Sequence, residues 1–288
     1  MAVFQNQATI TFGGVTRASN IATGEIVEAV GAVKTSLLPT YTPGGIVTYV
    51  IGIRNTGDTP LTGITVTDDL GSYDAGGGTV EKITVVPLTY VEGSAAVFSD
   101  GTEQTGVTAT VTGGSLVVTG ISVPAGGSAV LVYETTANEY APLGADAQIT
   151  NNASVTGTGV TDTVTASATV TASDAADLGI TKSVNPAVVT GNSRITYTFE
   201  VQNTGAATTA EDGVVIQDTF NPVLSDLVVT LNGETLTDAQ YTYDPVTGVF
   251  ATNDGVLTIP GAVYAQDPTT GVWTTEPGTA VLTVSGVI

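Results

Sequence analysis

Residues 33–70 read VKTSLLPTYTPGGIVTYVIGIRNTGDTPLTGITVTDDL, and residues 181–220 read TKSVNPAVVTGNSRITYTFEVQNTGAATTAEDGVVIQDTF. In both stretches a lysine precedes a tyrosine by 15 residues, an Asn-Thr-Gly triplet follows, and an aspartate ends the run. The matched positions are Lys34 with Lys182, Tyr49 with Tyr197, Asn55 with Asn203, and Asp68 with Asp218. The chain therefore contains an internal duplication, which indicates tandem copies of one structural unit.

Each copy is a series of short strand-like runs. Segments such as IVTYVIGI and AVLVYETT alternate apolar with polar residues, and Asn, Gly, Pro and Asp separate them. This pattern is typical of antiparallel sandwiches, and the frequent Thr and Val favour strands. We predict an all-β chain with two tandem immunoglobulin-like β-sandwich domains. The expected parts are an arm with a donor strand at 1–30, a first domain at 31–174, and a second domain at 175–288 that lacks its final strand.

Composition excludes several functional classes. The 288 residues include 27 Asp and Glu, 6 Lys and Arg, and neither Cys nor His, for a net charge of −21. Disulfides, thiolate or imidazole metal sites, a cysteine nucleophile and a Ser-His-Asp relay are impossible without those residue types. So few cations cannot offset nucleic-acid phosphates. We expect no cofactor, no metal and no enzymatic turnover.

The sequence offers no obvious membrane or export segment. No stretch approaches the roughly 20 apolar residues of a membrane span. The opening MAVFQNQATITFGG lacks the basic leader and apolar core of a signal peptide. We therefore expect either that the numbering begins at a mature end or that the protein leaves the cell by another route, such as lysis of a mother cell.

The second copy is predicted to lack a closing strand, which the N-terminus resembles. Aligning Ala129 with Ala280 places Ile288 opposite Ala137, so nothing in the second copy matches ITNNASVTGTGVTDTVTASATV. The opening NQATITFG resembles NNASVTG at 151–157, and a further strand-like stretch follows each. A sandwich without a strand exposes apolar surface and unpaired backbone groups.

We therefore predict donor-strand exchange between copies of the chain. The donor residues on one face of the first strand are Phe4, Asn6, Ala8, Ile10 and Phe12. Entry of this strand into a neighbour's second domain is a head-to-tail contact, and such contacts build open filaments unless they close into rings. Two alternatives remain open: residues 1–30 fold back onto their own chain, or the second copy is simply a shorter variant.

Polar residues occupy positions expected to face the core. Residues two apart on a strand share a face. By this rule the apolar faces include Lys34, Asp68 and Asn151 in the first copy, Lys182 and Asp218 in the second, and Asn6 in the arm. Two of the three lysines in the chain occupy this one repeat position.

A buried Lys, Asp and Asn together can form an isopeptide bond. Burial disfavours both charges, so the amine becomes nucleophilic while the acid polarises the amide. We predict a Lys34–Asn151 bond promoted by Asp68, and an intermolecular Lys182–Asn6 bond promoted by Asp218. Alternatively, each lysine lies along apolar surface with its ammonium in water, each aspartate caps a turn, and the asparagine ends a strand.

The Lys, Tyr, Asn-Thr-Gly and Thr-Asp or Gln-Asp pattern resembles a widespread family of bacterial cell-surface immunoglobulin-like repeats of unknown function. The resemblance covers about residues 31–288. With the opening NQATITFGG, the chain also looks like a group of proteins from spore-forming anaerobic bacteria. The resemblance implies an extracellular structural role, and the cross-link is similar to that of Gram-positive pilin domains.

These observations predict the subunit of a self-assembling extracellular filament on a cell or spore surface. Its expected partner is another copy of itself, without nucleic acid or a membrane span. The alternative is a surface adhesin or surface-layer module that binds a ligand and does not itself polymerise.

Overall fold

The computed structural model describes residues 2–26 and 29–288. Segments that alternate apolar with polar residues form strands throughout these ranges. The prediction of an all-β fold is confirmed. The 3₁₀ turn at Ala210–Asp212 is the only helical element in those two ranges. No helix in the described part of the chain is long and apolar enough to cross a membrane.

The chain divides into two compact units. The first contains the residues up to Asp74 together with Thr84–Ala141 and Gln148–Val170, and the second contains Ala75–Ile83, Pro142–Ala147 and Thr171–Ile288. The arm lies at the start of the first unit. Its strands are β1 (Ala2–Asn6), β2 (Thr9–Phe12), β3 (Val15–Ala18) and β4 (Ala22–Ile26).

The first unit is built mainly from two six-stranded sheets. One has the order β13-β12-β16-β7-β5, with β11 also paired to β16, and the other has the order β14-β15-β8-β17-β18-β6. The strands are β5 (Val30–Ser36), β6 (Thr40–Tyr41), β7 (Ile46–Asn55), β8 (Leu61–Asp68), β9 (Tyr73–Gly77), β10 (Val80–Val85), β11 (Leu88–Tyr90), β12 (Ala96–Ser99), β13 (Thr102–Glu103), β14 (Thr108–Thr112), β15 (Ser115–Val123), β16 (Ser128–Ala137), β17 (Gln148–Thr156) and β18 (Val164–Ala172). Of these strands, β9 and β10 pair only with each other among the described strands, and most of their residues belong to the second unit.

The second unit repeats one of these sheets and only part of the other. A five-stranded sheet has the order β19-β20-β28-β22-β23, and a three-stranded sheet has the order β21-β25-β24. The strands are β19 (Leu178–Asn185), β20 (Arg194–Asn203), β21 (Gln217–Thr219), β22 (Ser225–Leu231), β23 (Glu234–Thr235), β24 (Tyr241–Tyr243), β25 (Val249–Thr252), β26 (Val263–Gln266), β27 (Trp273–Glu276) and β28 (Gly278–Val287). Strands β26 and β27 pair with each other.

Each unit has its own apolar core, formed by the inward-facing residues of its strands. Ile51 and Leu131 from one sheet of the first unit, and Val66 and Val118 from the other, are almost completely buried. The second unit buries a separate cluster around Phe199, Ile216, Phe220, Phe250 and Leu282. In these core strands the alternation of the sequence thus predicts which face is buried.

The repeated Asn-Thr-Gly triplet fixes a turn. Asn55 Oδ1 accepts the Gly57 N–H at 3.0 Å, while its amide donates to the carbonyls of Thr59 and Pro124. Asn203 repeats the arrangement with the Gly205 N–H. An asparagine that bonds the backbone two residues on is ordinary turn chemistry, so the triplet serves the fold.

Candidate functional site

Lys34, Asp68 and Asn151 converge in the core of the first unit. They lie on β5, β8 and β17, and their exposed fractions are 4%, 1% and 0%. Ala153 on β17 pairs with Asp68 on β8. Asn151, two residues before Ala153, therefore lies on the same face of the sheet close to the end of β8.

The lysine and aspartate form a buried ion pair. Lys34 Nζ lies 2.5 Å from Asp68 Oδ2, and the Leu70 N–H donates to the other carboxylate oxygen at 3.0 Å. The Lys34 ammonium therefore does not reach water, in contrast to the surface alternative. The Leu70 contact does correspond to the turn cap that the same alternative assigned to the aspartate. Two charges removed from water must offset a large desolvation cost by good geometry.

Tyr133 on β16 connects this pair to the asparagine. Its hydroxyl donates to Asp68 Oδ2 at 2.6 Å and accepts a hydrogen bond from Asn151 Nδ2 at 3.2 Å. A hydrogen-bonded series thus runs from Lys34 through Asp68 and Tyr133 to Asn151. Sequence reasoning did not select Tyr133, although its place in the alternation of AVLVYETT indicates a buried side chain.

Tyr49 on β7 encloses the site from another side. Its ring centroid lies 4.9 Å from Lys34 Nζ and 5.6 Å from the stacked ring of Tyr133. Tyr49 Oη and Asn151 Oδ1 are buried, and neither has a hydrogen-bond partner among the described residues. Such groups are rare in protein interiors because they are costly. The Asn151 carbonyl oxygen, which an acid would polarise in the predicted reaction, can therefore still accept a hydrogen bond.

Burial changes the proton affinity of these groups. Desolvation lowers the pKa of Lys34 from 10.5 to about 8, although the neighbouring Asp68 carboxylate opposes the change. Roughly a tenth of such amines are neutral at pH 7. Desolvation also raises the pKa of Tyr133 and of Tyr49, so both phenols keep their protons. The site therefore combines an available amine with a neutral hydroxyl donor.

The lowered pKa of Lys34 predicts a pH-dependent stability when no cross-link forms. In an Asn151→Ala chain, the unfolded state binds the Lys34 proton up to pH 10.5, whereas the folded state releases it above about 8. Stability should therefore rise with pH across this window, by up to about 1.4 kcal/mol per pH unit. Urea unfolding at several pH values measures this. An Asn151→Ala/Lys34→Met chain is the comparator, and parallel pH profiles of the two would contradict the prediction.

The second unit repeats the ion pair in a more open setting. Lys182 Nζ lies 2.5 Å from Asp218 Oδ2, but the two side chains are 40% and 17% exposed. The ammonium lies 4.6 Å from the ring centroid of Tyr197, in the place that Tyr49 takes in the first unit. Tyr49 pairs with Tyr133 across the strands, whereas Tyr197 pairs with Val284. The hydroxyl of Tyr133 therefore has no equivalent in the second unit.

The edge of β21 explains this exposure. In the first unit β8 lies between β15 and β17, whereas among the described strands β21 pairs with β25 alone. The place corresponding to β17 is unoccupied by any described strand of the second unit. Lys182 and its apolar neighbour Ile180, which is 57% exposed, therefore face solvent. This face was expected to lie in the core; it is exposed because no described strand covers it.

The described strands of the arm pair only with one another and belong to neither of the larger sheets. Within residues 2–26 and 29–288, β1 pairs only with β4, and β2 pairs only with β3. Asn6 and Ala8 are exposed, as are Phe4, Ile10 and Phe12 with 55%, 70% and 88% of their surface. Large apolar side chains that lie exposed along one strand are typical of a surface that binds another protein.

Acidic side chains are also candidate ligands for a metal ion. Among the described residues, no group of three or more His, Cys, Asp or Glu side chains is placed to hold a metal ion. The acidic pair Asp68 and Asp69 divides its contacts: Asp69 accepts from the backbone and side-chain amides of Asn152. Asp69 is thus occupied by contacts with the backbone and side chain of Asn152, whereas Asp68 contacts Lys34.

No family model matches the sequence, and no curated protein matches it. Solved structures of similar fold include BcpA, the major pilin subunit of Bacillus cereus, at 13% identity and a TM-score of 0.35 over 96% of this chain and 73% of that one. The major pilin GBS80 of Streptococcus agalactiae, as a C-terminal fragment, matches at 13% identity and 0.35 over 86% and 85%. The N-terminal domain of the Streptococcus gordonii adhesin Sgo0707 matches at 16% identity and 0.35, over 55% of this chain and 36% of that one. At these values the similarity concerns the fold alone.

Proposed function

We propose that this protein is the structural subunit of an extracellular filament that grows head to tail by donor-strand complementation. The observation that carries the proposal is the open edge of β21 together with the exposed strands of the arm. An unpaired strand edge is a ready template for another chain. The first unit contains the completed version of the same sheet, so it supplies a pattern for the contact between subunits.

The register of the proposed contact follows from the first unit. There Ala153 lies opposite Asp68, and Val155 lies opposite Val66. Ala8 holds the place of Ala153 in the arm, so it would lie opposite Asp218. Asn6, two residues earlier on the same face, would then reach the Lys182–Asp218 pair.

Two covalent bonds complete the proposal. In the first unit the neutral Lys34 amine attacks Asn151 Cγ, so that one C–N bond forms while the bond from Cγ to Nδ2 breaks. Asp68 takes the proton that the amine loses and returns it to the departing nitrogen, which leaves as ammonia. Tyr133 donates to Asp68 and orients the Asn151 amide. Between subunits, Lys182 and Asp218 act in the same way on Asn6 of the next chain.

Electron microscopy of the purified chain tests the filament. Filaments are expected, with a spacing that corresponds to one subunit and growth that depends on chain concentration. Stable monomers from the intact chain would contradict the proposal and would favour a surface module that does not polymerise.

Denaturing electrophoresis and intact mass test the cross-links separately. Assembled chains should give a ladder that survives boiling in detergent, and each intramolecular bond should reduce the subunit mass by one ammonia. The Asn6→Ala chain should still assemble but dissociate to single chains on boiling, because only the intermolecular bond is lost. The Asn151→Ala chain should keep the ladder, but its dissociated subunits should show no loss of ammonia, because the amide that would leave is absent. A ladder that persists in Asn6→Ala would contradict the assignment of Asn6.

A further inference from the structure

The arm is a two-stranded hairpin along its length. Phe12 pairs with Val15 across a turn at Gly13 and Gly14, whose φ angles of 60° and 79° favour glycine. The pairing continues through β1 and β4, where Asn6 lies opposite Ala22. The strand that carries Asn6 therefore has a hydrogen-bonded partner before any neighbour is met.

The closing element of the first unit is also a pair of strands. In the sheet order, β18 follows β17, and the hydroxyls of Thr150 and Thr169 share a hydrogen bond of 2.9 Å. Antiparallel pairing then places Ala168 opposite Asn151, as Ala22 lies opposite Asn6. The two asparagines precede their partner alanines by 17 and 16 residues, respectively. The arm thus reproduces both strands of this element and the alanine beside the asparagine.

The outer strand of this element has its own place in the sheet. In the first unit β18 lies between β17 and β6, and Tyr41 of β6 is 3% exposed. Counting from the repeat lysines, the residues equivalent to β6 are Val188 and Val189. Neither belongs to a strand, and Val188 is 90% exposed. The second unit therefore has room for two more strands beyond β21.

We propose that the arm docks as an intact hairpin into the second unit of another copy of this chain. Strands β1 and β2 take the place of β17, β3 and β4 take the place of β18, and the outer strand pairs with the backbone at Val188 and Val189. This inference rests on the proposed function and adds the second strand to the contact. It makes residues 15–26 part of the binding surface, which a single donor strand does not require.

Contacts inside the arm support docking as a unit. Phe4 packs across Gly24 so closely that an added Cβ at Gly24 would collide with the Phe4 ring. Strand β4 therefore already contacts Phe4, one of the donor side chains, before docking. A strand already held in its bound conformation loses less conformational freedom on binding, which favours association.

Two substitutions on neighbouring residues of β4 test the proposal in the full chain. Ala22 is exposed in the subunit and shares a face with its partner Asn6, so docking as a hairpin buries it. Ala22→Glu should slow seeded filament growth by about 100-fold, since a carboxylate would be buried without a partner. Thr23 is exposed and points to the opposite face. Thr23→Glu adds the same charge and should change growth by less than about threefold.

The outcomes separate the hairpin from the filament itself. If both variants grow as the unchanged chain does, a single strand docks and the hairpin is wrong, while the filament stands. Equal arrest of both would contradict the proposed orientation of β4. If the unchanged chain forms no filaments, both proposals fail together.

Hydrogen exchange provides a second measurement without any substitution. Amides of residues 187–190 should exchange at least about 10-fold more slowly in filaments than in subunits, because the outer strand would pair with them. Unchanged exchange there, together with slower exchange at β21, would overturn the outer-strand contact alone.

Discussion

A chain carrying Ile10→Asp and Phe12→Asp should remain monomeric at concentrations where the unchanged chain forms filaments. Both side chains are largely exposed in the subunit, so the substitutions cost its own fold little. In the proposed contact Ile10 would take the place of Val155, which is fully buried in the first unit, and Phe12 would lie two residues further along the same face. Losing two large apolar side chains removes up to about 3 to 6 kcal/mol of the binding free energy, and two desolvated carboxylates weaken binding further. We expect the critical concentration to rise by at least about 10³-fold, as measured by sedimentation and electron microscopy.

The opposite face of the same strand provides a matched control. Thr9 and Thr11 alternate with Ile10 and Phe12, and the Thr11 hydroxyl contacts that of Thr16 across the hairpin. A Thr9→Asp/Thr11→Asp chain carries the same added charge on the face that stays in solvent. It should assemble with a critical concentration close to that of the unchanged chain. Equal filament yields from both double variants would exclude this strand as the donor.

The sequence predicts the fold and the polar residues of the buried Lys–Asp–Asn cluster for a simple physical reason. Strand alternation assigns a face to each residue, and the duplication shows which polar residues recur on the apolar face. Lys34 and Asp68 could be selected in this way because Lys182 and Asp218 repeat them. Tyr133 could not, since Val284 holds its place in the second copy and an aromatic residue at a core position looks like ordinary packing.

The exposure of a side chain depends on which strands cover it, and the alternation of the sequence does not identify those strands. Lys182 has the same position in the repeat as Lys34, yet one ammonium is buried and the other faces solvent. The difference comes from β17, which flanks β8 in the first unit and has no described equivalent beside β21. Pairing between distant strands, and the hairpin within the arm, become visible only once the backbone is placed.

The two ion pairs therefore differ in what their loss should do. The Lys182–Asp218 pair is partly exposed, so in the subunit its removal should change stability little. The Lys34–Asp68 pair is buried with Tyr133 and Asn151 around it, so each group depends on the others for its hydrogen bonds. In the proposed contact the neighbour's strand would cover the exposed pair of the second unit, whereas we expect the first unit to depend on its buried pair for stability.

Asp68→Ala should strongly destabilise the first unit. It leaves the Lys34 ammonium buried without its carboxylate and leaves the Leu70 N–H and the Tyr133 hydroxyl without their acceptor. Breaking a buried pair from one side costs about 3 to 5 kcal/mol, which corresponds to a fall of roughly 10 °C in the melting temperature of a unit of this size. The variant should also retain the mass of the Asn151 amide, because the group that shuttles the proton is gone.

Two further variants separate the charge from the covalent bond. The Lys34→Met/Asp68→Asn chain forms no cross-link either, but it removes both charges and keeps a side-chain oxygen for the Leu70 N–H. It should therefore melt well above Asp68→Ala, since a buried pair replaced by neutral groups is often tolerated. Asn151→Ala keeps the ion pair and loses the covalent bond together with the Asn151 amide that contacts Tyr133. If Asp68→Ala and Asn151→Ala had the same melting temperature, the covalent bond alone would account for the loss of stability in Asp68→Ala. The buried charge pair would then contribute nothing measurable.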